Sequence, residues 1–349
     1  MRLKQVLKFI FAMAILSLII CWIGHTIKEN KQKITTIFLD KEPDFISTSN
    51  GDELLTVTDG EIVSYGADGN SNIIELDVQI AKVYSGSDWL WIIDNEANLY
   101  TLQVIGDNSY EISDVILENV TYVEGNAVKS VAITTNGEVY VWGRDDEYYS
   151  LGLGDVVEAK EPTKVEGIRD AKEVASFHVN TAILTETGEL YVAGGIITSE
   201  WSEEKQESII TTEYIKEFKK VKHDSIITHM GEFEGLLYTM YEDGTILDWS
   251  GIEINDDGDV VLDSLGSNWA CELRFNQISF GTSFSIGLDG YGDIYFWGFD
   301  FTRKMRSKAD YTIYTTPQLI QFDKDVDSVY AVGKAAFLKS GLKMYIMSN

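Results

Sequence analysis

One pattern of apolar and polar positions recurs along most of the chain. Two or three apolar residues lead into a polar pair with Gly, and an apolar-aromatic alternation ending in Gly follows. The clearest copy is Val131-Ala132-Ile133-Thr134-Thr135-Asn136-Gly137-Glu138-Val139-Tyr140-Val141-Trp142-Gly143. Ala182-Ile183-Leu184-Thr185-Glu186-Thr187-Gly188-Glu189-Leu190-Tyr191 and Ile286-Gly287-Leu288-Asp289-Gly290-Tyr291-Gly292-Asp293-Ile294-Tyr295-Phe296-Trp297-Gly298 repeat it. Fainter copies lie at 54–66, 90–102, 236–250 and 336–347. A period of two on both sides of a Gly-containing turn predicts a β-hairpin. The apolar residues just after the turns, Ile62, Leu99, Val139, Leu190, Ile246, Ile294 and Met344, recur on average about every 47 residues, the signature of a stacked repeat.

Upstream of most turns another apolar stretch ends in Gly, as in Val83-Tyr84-Ser85-Gly86 and Ile278-Ser279-Phe280-Gly281, which adds a strand to each unit. The segments between units have room for one outer strand, for example Pro162-Thr163-Lys164-Val165 and Pro317-Gln318-Leu319-Ile320. Four strands repeated seven times predict an all-β, seven-bladed propeller over residues 34–349. The chain stops just after its last hairpin, so residues 34–39 are expected to complete the last blade and remove the open edge. An open pair of sandwiches with chance similarity between hairpins is the alternative.

The first residues are of a different kind. Arg2, Lys4 and Lys8 precede an uncharged apolar run from Phe9 to Gly24, and Lys28, Lys31 and Lys33 follow it. At about 16 residues the run falls between a signal-peptide core and a spanning helix. No small-residue cleavage site follows it, and Ile20 before Cys21 does not suit lipoprotein processing. The reading is a cytoplasmic tail at 1–8, one N-terminal transmembrane signal-anchor helix at 9–27 and a linker at 28–33. A short tail stays inside while a large domain is carried across, so the propeller is expected outside the cytoplasm.

Charge narrows the partners. Lys and Arg number 28 against 56 Asp and Glu, a net charge of −28, which repels phosphate backbones and argues against nucleic acid. Two cysteines exclude a disulfide scaffold or a Cys-rich metal site. Low Pro and Cys with abundant Lys, Ile and Asn suits a bacterial chain.

Trp142-Gly143, then Tyr148-Tyr149-Ser150-Leu151-Gly152-Leu153-Gly154-Asp155 and Pro162-Thr163-Lys164-Val165, resembles the regulator of chromosome condensation repeat. The resemblance is strong over 121–194 and 276–298 and faint elsewhere. It implies a seven-bladed propeller that binds other molecules. The family often has His three residues after the strand-ending Gly; counted so, this chain has Trp89, Val128, Asn180, Glu234, Phe284 and Ala336, and departs at all six. The family's eukaryotic namesake exchanges nucleotide on a small GTPase in the nucleus, and the export segment argues against that activity here.

Catalytic motifs are lacking in the sequence. His25, His178, His223 and His229 form no His-Glu-x-x-His pair, and neither a Gly-x-Ser-x-Gly elbow nor a phosphate loop can be read. His229 reads as a structural polar residue. Asn255-Asp256-Asp257-Gly258-Asp259 has the oxygen spacing of a calcium loop but lacks its Gly and distal Glu, and reads as a hairpin turn. No cofactor and no metal are expected. The loops after the strand-ending Gly should gather on one face, where Asp88, Trp89, His178, Asn180, Glu232, Phe233, Glu234, Ser283 and Phe284 are the candidate binding residues. Acid-ringed aromatics suit a basic protein or a cell-surface ligand, although Trp89 and Phe284 could instead pack between blades. The segments 195–224 and 299–316 read as solvated loops. The expected activity is recognition without catalysis; the alternatives are an inhibitor of an extracellular enzyme and a glycan-acting cell-wall enzyme.

Overall fold

The computed structural model describes residues 33–348 apart from 49–52, 86–88, 107–108, 146, 177–178, 203–206, 224, 234–235, 245, 265–272, 282 and 303–311. The expected membrane segment, Cys21, His25 and Cys271 lie outside the described residues. Among the described residues no helix is long and apolar enough to cross a membrane.

The described strands form seven four-stranded antiparallel sheets. Blades 1 to 6 each take four strands consecutive in sequence: residues 45–74, 80–112, 120–164, 171–220, 227–264 and 275–320. Blade 3 is typical, its strands Val120–Gly125, Lys129–Thr134, Val139–Arg144 and Glu158–Lys164 lying in that order from the axis outward. Blade 7 joins the two ends of the chain. Its inner strands are Ser328–Val332, Ala335–Ser340 and Lys343–Ser348, and Lys33–Phe38 adds the outer one with Ile34 opposite Met347 and Phe38 opposite Lys343. The expected closure by the first strand is thus present.

Turn chemistry explains why the hairpins recur. At the end of the second strand, Asp94, Thr134, Thr185 and Asp289 each accept a backbone N–H across the turn, from Asn98, Glu138, Glu189 and Asp293 at 2.8–3.2 Å. Short polar side chains that satisfy their own turn make these hairpins local decisions. The Asn255 turn obeys the same rule, its Oδ1 accepting from Asp257 and Asp259 N–H, so it is a hairpin turn as read. Asp259 further pairs with Lys222 at 2.5 Å.

Burial lies between blades. Seven apolar clusters fill the seven junctions, for example Val131, Val141, Val165, Val174 and Ile183 between blades 3 and 4, and Leu39, Leu54, Phe337, Met344 and Ile346 between blades 7 and 1. Each blade therefore buries apolar surface on both faces, and the ring is held by its own closure.

One segment departs from expectation. Residues 195–224 read as a loop, yet Leu190–Ser202 and Glu207–Lys220 pair from Tyr191–Lys220 out to Ser202–Glu207. The neighbouring strand Asn180–Thr185 stops opposite Gly194, so residues 195–202 and 207–214 form a two-stranded ribbon beyond the blade. Blade 3 holds its base. Gly154 N–H donates to the Lys216 carbonyl at 2.9 Å, the Lys216 ammonium meets Asp155 at 2.6 Å, and Tyr149 packs edge-on against Tyr214 at 5.1 Å.

Candidate functional site

Two places can hold a partner: the loop face and the central channel. On the loop face, backbone register corrects the residue equivalence read from sequence. Lys129, Asn180 and Phe284 pair with Gly143, Gly194 and Gly298, so blade 3 presents Lys129 and not Val128 at the shared position. Asn126 accounts for the offset: its Oδ1 accepts both the Val128 and Lys129 N–H in a loop one residue longer.

The shared position clamps the loop that follows the glycine. Asn180 Nδ2 donates to the Gly195 carbonyl at 2.9 Å. The Lys129 ammonium, almost fully buried, donates to Ser150 Oγ at 2.6 Å, while Ser150 O–H and N–H are both held by Asp145. Burial lowers the Lys129 ammonium to about 8, with the Asp145 and Glu124 charges opposing that fall. In blade 6 an apolar solution replaces the polar one, with Phe284 at 4.2 Å from Phe301. Phe284 has no exposed surface, so it is a core residue and not part of a contact face.

The other candidates divide as follows. Trp89 is half-buried and packs perpendicular to Trp91 at 5.8 Å, which itself meets Trp142 at 5.5 Å. Ser283 is half-buried and its carbonyl accepts Phe299 N–H. Glu232 and Phe233 lie in the innermost strand of blade 5 opposite Leu237 and Leu236. Asp88, His178 and Glu234 fall outside the described residues, as does the basic cluster Arg303, Lys304, Arg306 and Lys308.

The channel is a cavity of about 720 Å³ lined by the innermost strands of all seven blades. Those strands have one edge without a sheet neighbour, and their backbone groups need other partners. Side chains of the preceding blade supply them. Ser176 N–H donates to Glu124 Oε1 at 2.7 Å, Met230 N–H to Glu173 Oε2 at 2.8 Å, and Val329 and Ala331 N–H to Gln277 and Ser279 at 3.0 Å. Lys82 and Lys172 donate to the Thr121 and Thr228 carbonyls at 2.7 and 2.6 Å. A register shift near the start of the strand in blades 2–6 brings Lys82, Tyr122, Glu173, His229 and Gln277 to one position.

His229 differs from its counterparts. Its Nδ1 lies 2.7 Å from Glu173 Oε1, and its side chain keeps 56% exposure beside the channel. Phe45, Tyr84 and Tyr122 form an edge-to-face row along blades 1–3, with centroids 5.2 and 5.1 Å apart. Sequence reading missed this set because its members lie about 40–55 residues apart, and only the ring brings them together. Among the described residues no cluster of three or more His, Cys, Asp or Glu is placed to hold a metal ion.

Fold and site together define an all-β, seven-bladed propeller. Residues 136–179, from the second turn of blade 3 into blade 4, match the regulator of chromosome condensation (RCC1) repeat. The human E3 ubiquitin-protein ligase HERC2 is 23% identical over 243 residues, 62% of this chain and 5% of its own length. The chain thus spans only about 5–6% of the length of the curated relatives it matches. Human WBSCR16 superposes with a TM-score of 0.60 at 14% identity, over 90% of this chain and 88% of its own. Prp20p from Saccharomyces cerevisiae, described with its binding properties to Gsp1p and histones, gives 0.57 at 13% identity over 86% and 81%. At these identities the structural likeness shows the fold.

Proposed function

We propose that this protein is a recognition module without catalysis, in which the propeller presents the ribbon strands 195–202 and 207–214 and the adjoining loop face to a protein partner. The ribbon carries this reading. Its strands extend beyond the four-stranded sheet, and ordering them costs backbone entropy of about 1–2 kcal/mol per residue, so contact with a partner is the return the fold offers. The base is stiffened by Lys216, Asp155, Tyr149 and Tyr214, which suits a surface that must hold its shape. Prp20p, of the same fold, is named for binding proteins, which supports the class. The net charge of −28 favours a basic partner and disfavours nucleic acid. Inhibition of an extracellular enzyme would be one form of such recognition.

The apolar run 9–24 between basic flanks supports a single-pass anchor with the propeller outside the cytoplasm. Capture of partners by the full chain, against a variant with residues 197–212 replaced by a two-residue turn, tests the recognition reading. Loss of the captured protein in the variant, with an unchanged thermal melt, is the expected result. Equal capture by both chains rejects the ribbon as the contact. Digestion of the propeller by protease added to intact cells tests the orientation, and full protection rejects it.

A further inference from the structure

Beyond Gly195 the third strand of blade 4 runs on without its inner neighbour. Gly195 N–H donates to the Val179 carbonyl and Asn180 Nδ2 to the Gly195 carbonyl, both at 2.9 Å, and these bonds close that side of the sheet. From Ile196 to Ser202 the backbone pairs with 207–213 on one side, and among the described residues no strand pairs with it on the other. Alternate N–H and C=O groups of 196–202 therefore face away from the ribbon, where another chain can pair with them.

Proteins blunt such edges by brevity, by Pro or Lys, or by a bulge. The outermost strands of the other six blades obey this rule. Ser71–Ile74 and Ser109–Ile112 have four residues and Val260–Ser264 five, while Pro162 interrupts Glu158–Lys164, Pro317 interrupts Ile313–Ile320 and Lys33 heads Lys33–Phe38. Residues 196–202 do not obey it: they contain no Pro, Gly, Lys or Arg, and the register shift of their pairing falls at Val192/Gly194, before the ribbon begins. Ile196, Ile197, Thr198 and Trp201 suit an extended strand. The other edge of the ribbon is less open, since Leu153 and Gly154 already bridge its base at Glu217 and Lys216 and a Glu stands near either end of 207–214.

Charge decides what can pair there. The two ribbon strands carry Glu200, Glu207 and Glu213 and no Lys or Arg, on a chain of net charge −28. A second copy would bring the same acid to the same edge, whereas an extended segment with alternate Lys or Arg brings the opposite charge. We propose that the edge 196–202 takes an extended, basic segment of a partner protein as a third ribbon strand, with main-chain hydrogen bonds supplying affinity and the Glu side chains the preference for a basic sequence. The inference rests on the reading of the ribbon as the contact and adds to it the mode of contact and the chemistry of the partner. A third strand also steadies a two-stranded ribbon, which alone in water is marginal.

The test uses the full chain and a labelled, acetylated and amidated heptapeptide in which Lys alternates with Val and Thr. Two controls accompany it: the same peptide with Glu for Lys, and the Lys peptide with N-methyl groups on two consecutive central residues, which closes both of its edges. Binding is read by fluorescence anisotropy, and its place by amide exchange. The Lys peptide is expected to bind and to slow exchange within 196–202, with both controls weaker by about tenfold or more. No binding of the Lys peptide, equal binding of the N-methylated one, or slowed exchange outside 196–202 overturns the proposal. So does a dimer that dissolves when residues 197–212 are replaced by a turn, which would make a second copy the occupant. Capture of a partner that is lost with 197–212, while the Lys peptide leaves 196–202 unprotected, keeps the ribbon as the contact and overturns strand addition. Unchanged capture together with protection of 196–202 by the peptide upholds strand addition and rejects only the captured protein's use of the ribbon.

Discussion

Lys339, in the second strand of blade 7, forms an ion pair with Glu42, in the loop after the first strand of the chain. The two partners are unequally placed: the Lys339 side chain is 8% exposed and Glu42 61%. The pair fastens the N-terminal segment to the last blade beside Leu39 N–H, which donates to the Leu342 carbonyl at 2.9 Å.

Unequal burial predicts unequal effects of mutation. Glu42→Ala leaves an ammonium nearly buried without its counter-charge and should cost about 1–3 kcal/mol. Lys339→Met leaves an exposed carboxylate that water can solvate and should cost less than about 1 kcal/mol. Urea melts of both variants check the order. A larger loss in the Met variant would show that the amine, and not the pair, holds the closure.

Gly143 and Gly194 explain why an aromatic-Gly or Ala-Gly step occurs in the third strand of blades 3 and 4. Their φ values are +117° and +129°, and a Cβ would lie 2.3 Å from the Val128 carbonyl and 2.2 Å from the Val179 carbonyl. Those carbonyls accept the N–H of the next residue, Arg144 or Gly195, so they cannot withdraw without breaking a bond. Gly194→Ala should therefore cost more than about 2 kcal/mol and loosen the ribbon base, seen as faster amide exchange over 214–217. A variant within about 0.5 kcal/mol of the parent would refute this account.

Much of the architecture was legible because its determinants are local. Thr134, Thr185 and Asp289 cap their own turns within four residues, so each hairpin announces itself and seven can be found. Closure by the first strand followed from counting strands. What was not legible depends on distance or on small offsets. The ribbon strands mix Thr, Ser and Glu with Ile and give no one-sided alternation, so they resembled a loop. The longer Asn126 loop moved the shared position from Val128 to Lys129. The sequence leaves Phe284 open between a surface aromatic and a residue packed between blades, and only the distant Phe301 covering it decides; Glu173 and His229, 56 residues apart, share no local signal.

The indoles of Trp89, Trp91 and Trp142 offer an optical test of the junction between blades 2 and 3. They meet in sequence at 5.8 and 5.5 Å with interplanar angles of 90° and 88°. The Nε1–H groups of Trp89 and Trp91 are buried with no oxygen or nitrogen partner, and perpendicular packing offers each an aromatic face as a weak acceptor. Three coupled indoles should give an excitonic couplet in the far-ultraviolet circular dichroism. Trp91→Phe, which removes the middle ring, should abolish it, whereas Trp142→Phe should leave a reduced signal from the remaining pair. A spectrum unchanged by Trp91→Phe would rule out this arrangement.

Lys129 gives the fold a specific alkaline response. Burial lowers its ammonium from 10.5 to about 8, so the folded chain releases that proton while the unfolded chain still holds it. Between those values the unfolded state binds more protons, and stability rises with pH. Below pH 8 both states are charged and the fold carries the full desolvation penalty. Lys129→Met has no such proton, so the parent should gain on it by up to about 3 kcal/mol as pH climbs from 7 toward 10. Working below pH 9.5 keeps the buried Tyr84 and Tyr122 hydroxyls, which burial holds well above the usual phenol range, from adding an opposing change. Urea melts of both chains at pH 7.0, 8.5 and 9.5 measure the difference. A gap that stays constant, or that moves against the parent, would mean the Lys129 ammonium remains charged and is fully compensated by Ser150 and Asp145.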